Sequence, residues 1–166
     1  GASSLVYMMK KELSKNYSLL SYLHIMTEDF TEALSTAQDA LAIAEIHCSE
    51  DIYLHCQIYC SLAAAYVYLD RLTEGTQILE LLSQNPFIQN SQLERSRYLL
   101  TKGTLMMKYG LLNDAITYFS EAEMIALSFN NHVLLKRIYF YNALAYEQQR
   151  QFEKAYYYLK KHVEKL

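Results

Sequence analysis

Glycine and proline are nearly missing from this chain, with four Gly and one Pro in 166 residues. Strand-rich folds need many turns, and turns draw on both residues, so their scarcity favours long helices. Tryptophan is absent, while tyrosine occurs 16 times. The three cysteines, Cys48, Cys56 and Cys60, are too few and odd in number for a disulfide framework, and a reducing, cytoplasmic setting is expected. No apolar run approaches the roughly 20 residues of a membrane-spanning helix, so no membrane partner is expected. A formal charge of -3 argues against direct nucleic-acid binding.

What is present is a globular composition. Hydrophobic residues make up 52% and charged residues 20%, which excludes a disordered chain. The length suits one domain with a real core. The opening "GASS", residues 1–4, reads as a cloning remnant. Residues 5–166 read as a single repeat domain, expected to be a fragment of a larger chain.

The repeat is found by aligning small residues. Ala33, Gly75, Ala115 and Ala155 are equivalent, at spacings of 42, 40 and 40. Phe30, Leu72, Leu112 and Phe152 stand three positions before them. Ser21, Ala63, Gly103 and Ala143 form a second equivalent set upstream. The units are approximately 5–48, 49–89, 90–130 and 131–166.

Each unit reads as two helices, because apolar positions recur at three- and four-residue steps on both sides of a short polar break. The breaks are "TED", "LDR", "YGL" and "QRQ". The spacing predicts helices near 5–26, 30–46, 50–69, 73–83, 91–109, 112–128, 131–149 and 152–166. Ser91 and Glu94 form a capping-box pattern for the fifth helix. Pro86 marks the longest loop, and "FNNH" is a stop built on Asn in left-handed geometry. Gly103 and Ala115 are expected to meet where two helices of a unit cross, with Phe119 filling the space beside them. One unit cannot bury its apolar faces alone, so the expected fold is an all-α, right-handed superhelix (solenoid) of four hairpins.

The pattern resembles the tetratricopeptide repeat. The resemblance covers nearly the whole chain and is most specific in the third unit, at Leu99, Gly103, Gly110, Ala115, Phe119 and Ala122. The fourth unit fits at Tyr139, Ala143, Tyr146, Ala155 and Leu159, while Ser21 and Gly75 substitute in the first two. The family's Trp near the start of a unit is missing, and so is the proline that often closes one. The period is also longer than the family's 34 residues. Long units of this kind look like those of bacterial regulators: peptide-pheromone receptors, large activators with a helical sensor domain, and segments ahead of cyclic-dinucleotide synthase or kinase domains. The resemblance implies a non-enzymatic module for protein or peptide binding, in signalling or transcription regulation.

The residues themselves offer little catalytic chemistry. His47, Cys48, His55, Cys56 and Cys60 cluster in sequence, but zinc sites favour a CxxC knuckle on a turn. Cys56 and Cys60 lie four apart inside a helix, so buried free thiols are expected, with no metal and no cofactor. Glu28 with Asp29, and Glu121 with Glu123, fall at solvated or terminal positions. No phosphate loop or nucleophile elbow occurs, so no catalytic residue is assigned. "YYY" at 156–158 is expected to pack on the preceding unit, with one face exposed. Lys160, Lys161 and Lys165 are expected on a solvated face.

The first helix of each unit would line a concave groove. Projection places Lys15, Ser18 and Tyr22 there, then Gln57, Cys60, Ala64 and Tyr68. The third unit gives Arg97, Thr101, Thr104 and Lys108; the fourth gives Arg137, Phe140, Tyr141, Leu144 and Gln148. The expected ligand is a peptide or protein segment, acidic or with a free C-terminus, gripped by Arg97 and Arg137 in forked geometry. Phe152, Tyr156, Leu159, Val163 and Leu166 put apolar groups on more than one face of the last helix. That suggests a cover, either by a partner chain, with a homodimer through the terminal helices as one form, or by residues beyond the given sequence. The alternative function is a scaffold that oligomerises a larger regulatory protein.

Overall fold

The computed structural model describes residues 2–164, for Ala2 the backbone alone. Eight α-helices follow one another: α1 (Ala2–Met26), α2 (Phe30–His47), α3 (Ile52–Tyr68), α4 (Leu72–Ser83), α5 (Gln92–Lys108), α6 (Leu112–Ser128), α7 (His132–Gln148) and α8 (Phe152–Glu164). A 3-10 turn, Pro86–Ile88, occupies the longest connection. No strand occurs among the described residues. The fold is therefore all-α, built from four helical hairpins. The expected boundaries hold to within about three residues. α1 starts earlier than expected, since Ala2–Ser4 are helical. Residues 165–166 of the expected last helix lie outside the described residues.

The helices group into two compact units, Gly1–Ile88 and Gln89–Leu166. The first holds the hairpins α1–α2 and α3–α4, joined through α2 and α3. The second holds α5–α6 and α7–α8, joined through α6 and α7.

Every hairpin is closed by the same backbone device. Glu28, Asp70, Gly110 and Arg150 all have positive φ, between 60° and 79°. Around each, one N–H returns to the carbonyl three residues back and the next N–H to the carbonyl five back, as in Gly110 to Met107 at 2.9 Å and Leu111 to Met106 at 2.9 Å. This double return satisfies carbonyls that a helix end leaves open. Asn130 closes α6 in the same way, at φ 55°, as "FNNH" predicts.

The helices of a hairpin run antiparallel. The Ser14 hydroxyl donates to Ala40 O at 2.8 Å and the Ser21 hydroxyl to Ala33 O at 2.6 Å, so a step forward in α1 is an equal step back in α2. Small residues stand where the backbones approach. A Cβ on Gly103 would lie 3.2 Å from Ala115 O and 2.7 Å from the ring of Phe119, which is the predicted crossing. In the second hairpin the close approach sits nearer the turn, because Gly75 faces Val67 rather than Ala63.

In the first unit, α2 presents the row Ala33, Ala37, Ala40 and Ala44, all fully buried. Leu62 and Ala65 of α3 belong to the cluster around Ala33 and Ala37; Leu54 and Ile58 belong with Ala40, Ala44 and Cys48. Alanine lets the helices approach, and the branched residues of α3 supply the apolar area.

Three helices start on a capping side chain: Asp29, Asp51 and Asn131 accept from Glu32 N, Leu54 N and Leu134 N. Ser91 does precede α5, but its hydroxyl donates to the Glu94 carboxylate instead of accepting from a backbone N–H. The serine half of the capping box is thus given over to a side-chain pair.

Candidate functional site

In the first unit, Lys15 on α1 is exposed, with its ammonium 3.5 Å from Glu12. Tyr22 is half-buried and Ser18 is buried. On α3, Gln57 and Tyr68 are half-buried, while Cys60 and Ala64 are buried. The Tyr68 ring stacks on Phe30 of α2, 4.4 Å between centroids, so it serves packing as well as surface.

In the second unit, Glu94, Arg97, Thr101 and Thr104 follow at three- and four-residue steps and form one stripe on α5. All four are buried, Arg97 to 6% exposure. Lys108 extends the stripe into solvent. α7 contacts α5 and carries Arg137, 8% exposed, and Tyr141, also buried. The Arg137 guanidinium carbon lies 5.9 Å from the Tyr141 ring centre. Phe140 and Leu144 are half-buried, and Gln148 is exposed. Glu94, Arg97, Thr104, Lys108, Arg137 and Tyr141 are all engaged within the chain, and the Thr104 hydroxyl donates to Leu100 O at 2.9 Å. The two arginines are therefore on contacting helices, as expected, but as covered groups rather than open forks. α5 packs against α6 and α7, and α7 against α5, α6 and α8, which leaves less of their surface open.

Tyr139 and Tyr146 of α7, Tyr157, Tyr158 and Lys161 of α8, and Glu123 of α6 form an aromatic, charged cluster; of the "YYY" expected to pack on the preceding unit, Tyr158 packs instead on α7 of its own hairpin, and Tyr156 and Tyr157 are exposed. Tyr158 stacks on Tyr146 at 5.6 Å, nearly parallel. Lys161 sits 4.6 Å from the ring centre of Tyr157, 5.3 Å from Tyr139 and 5.9 Å from Tyr158. Expected on a solvated face, it lies instead among rings that attract a cation. Burial raises the Glu123 carboxyl pKa, with the Lys161 ammonium opposing. Burial, then Glu123, pushes the Tyr158 phenol up to about 12. Glu123 was expected to be solvated; it is half-buried because α7 and α8 close over its end of α6. Lys165 lies outside the described residues.

Sequence reasoning missed an open cleft of about 440 Å³ in the first unit. Tyr7, Tyr53 and Phe87 give it aromatic walls, and the Lys11–Asp51 ion pair, at 2.9 Å, spans it. Its aromatics lie on three separate elements, which no local pattern connects. The three cysteines are free and buried. His55 Nδ1 lies 2.8 Å from Asp51 O, and no His, Cys, Asp or Glu group suited to a metal occurs among the described residues. No helix among them is long and apolar enough to cross a membrane.

No protein-family model matches the chain. No curated protein matches it either.

Proposed function

We propose that this chain is a peptide- or protein-binding helical-repeat module of the tetratricopeptide kind. It serves as the sensing or interaction part of a cytoplasmic bacterial signalling or transcription regulator and carries no catalysis of its own. The buried polar stripe Glu94–Arg97–Thr101–Thr104 on α5, beside Arg137 on α7, carries this reading. At the equivalent places α3 has Leu54, Gln57, Ser61 and Ala64, so the fold does not require a charged stripe. Burying charge costs stability, and such departures from the apolar rule concentrate at recognition sites. Lys108 and Gln148 at the open end of the same faces give a ligand its first contacts. The Lys108 ammonium there favours an acidic segment or a free C-terminal carboxylate.

The test is fluorescence anisotropy with a panel of acidic peptides bearing free C-termini. Binding should weaken as salt rises. Lys108→Glu, an exposed change, should lower affinity about fivefold, since an exposed ion pair is worth up to ~1 kcal/mol. No binding by any peptide, or unchanged affinity in Lys108→Glu, would overturn the reading.

A second reading, a scaffold that assembles a larger regulatory protein, rests on the uncovered apolar side of α8 described next.

A further inference from the structure

Phe152, Tyr156, Leu159 and Val163 of α8 follow at steps of four, three and four, so they line one side of the helix. They are 60%, 67%, 44% and 55% exposed. The repeat itself shows what such a row meets. The equivalent row of α2 is Phe30, Leu34, Ala37 and Leu41, and it lies in or against the cluster that includes Leu62 and Ala65 of α3. The row of α6 is Leu112, Ile116, Phe119 and Glu123, where Phe119 is fully buried and the other three are half-buried. The α2 row is thus covered by α3, and no member of the α6 row is exposed; among the described residues no helix lies on the α8 row.

We propose that a second copy of this chain covers it, its α8 packed antiparallel on this one about a two-fold axis. The four-three-four row is the seam of a two-helix coiled coil. With the copies antiparallel, Phe152 meets Val163 of the other copy and Tyr156 meets Leu159. The same register sets Glu153 beside Lys160 of the other copy, twice by symmetry. Both are exposed, so the flanks are complementary in charge. A parallel pair would not bring these two together. A head-to-tail pair, with α1 of another copy on α8, is the competing arrangement, because α1 exposes Leu19, Leu20 and Leu23; it sets polar groups opposite the rest of the row. Where α3 buries Leu54 and Ile58, and α7 buries Leu134 and Ile138, α1 carries Glu12 and Asn16. α8 has 13 residues and is about 20 Å long. Two such faces bury less than the ~800 Å² per partner of a standard interface, so the dimer is weak, with a dissociation constant in the tens of micromolar or above.

The inference deepens the scaffold reading and is independent of peptide binding. Sedimentation equilibrium from about 10 to 500 µM tests it, with thermal melts at low concentration to show that every variant folds. Wild type should move from monomer to dimer and stop there. Leu159→Glu should abolish dimerisation. Glu153→Lys or Lys160→Glu alone should weaken it about three- to tenfold, because attraction becomes repulsion at two symmetric contacts. The double swap should restore it. A monomer at all concentrations overturns both this inference and the scaffold reading. A dimer in which the swap restores nothing, or mass that grows beyond the dimer and is lost on Leu20→Glu in α1, overturns this inference alone.

Discussion

Gly103 and Phe119 leave no room for one another to change: a Cβ on the glycine would stand 2.7 Å from Cε1 of a fully buried ring. Overpacking of this kind costs ~1–3 kcal/mol. Alanine regains up to ~1 kcal/mol in helix propensity. Gly103→Ala should therefore lower stability on balance, and Ala115→Leu, on the opposite helix, should lower it by about 1–3 kcal/mol. Urea midpoints check both, and unchanged midpoints would mean that the ring yields.

The hairpin turns allow an opposite pair of changes. Gly110 has φ +79°, and a Cβ there would meet nothing within 4 Å. The cost of Gly110→Ala is thus backbone strain alone, about 1 kcal/mol. Arg150 already bears that strain at φ 61°. Arg150→Gly should be neutral or stabilising by up to ~1 kcal/mol, its relief partly offset by the freer unfolded chain. Thermal melts of the two variants should move in opposite directions, or the second not at all; a fall in both would remove strain as the explanation.

Asn142 on α7 is fully buried, and neither its Oδ1 nor its Nδ2 has a hydrogen-bond partner among the described residues. The equivalent residue of α3 is Leu62, also buried. A buried, unmatched amide costs ~1–3 kcal/mol. Asn142→Leu should raise the melting temperature. A fall would show that a water or another group already satisfies the amide.

Asp51 accepts from Leu54 N–H at 3.0 Å and pairs with Lys11 at 2.9 Å. Burial opposes its charge, yet the Leu54 N–H and the Lys11 ammonium outweigh burial and hold its pKa below the usual carboxylate range. A depressed carboxylate contributes stability above its unfolded pKa, ~3.9, and that contribution is lost as pH falls through the folded value. Wild type should therefore lose stability more steeply below about pH 4 than Asp51→Asn, which keeps an oxygen for the cap but no charge. Melts from pH 2 to 7 give the comparison, and parallel curves would remove Asp51 as a source of acid sensitivity.

Much of the fold was legible because period and chemistry agree. "TED", "LDR", "YGL" and "QRQ" each hold the left-handed residue that closes a hairpin, and Gly103 meets Ala115 as its spacing requires. The candidate site was less legible. From Cys60 to Ala65, α3 is buried residue after residue. A helix covered on most sides has no single apolar stripe, so projection cannot separate groove from core. That is why Arg97, Thr101 and Arg137 turn out covered. The Lys161–tyrosine cluster depends on how α8 packs on α7 and α7 on α6, which no single helix encodes. Asn142 looks like any polar residue until its surroundings are known.

The joints between helices are of two kinds. Within every hairpin the connection is three residues: 27–29, 69–71, 109–111 and 149–151. Between hairpins it varies, spanning 48–51, 84–91 and 129–131. An inserted residue in a hairpin turn would break the paired returns to the helix end and rotate the second helix by about 100°, turning Ala33 or Ala115 away from its crossing. The same insertion between the exposed Gln89 and Asn90 only lengthens a loop, past the buried Ile88 that anchors the 3-10 turn. Tolerance to insertion is therefore uneven along the chain, and grafted tags belong at Gln89–Asn90, never at Glu28, Asp70, Gly110 or Arg150.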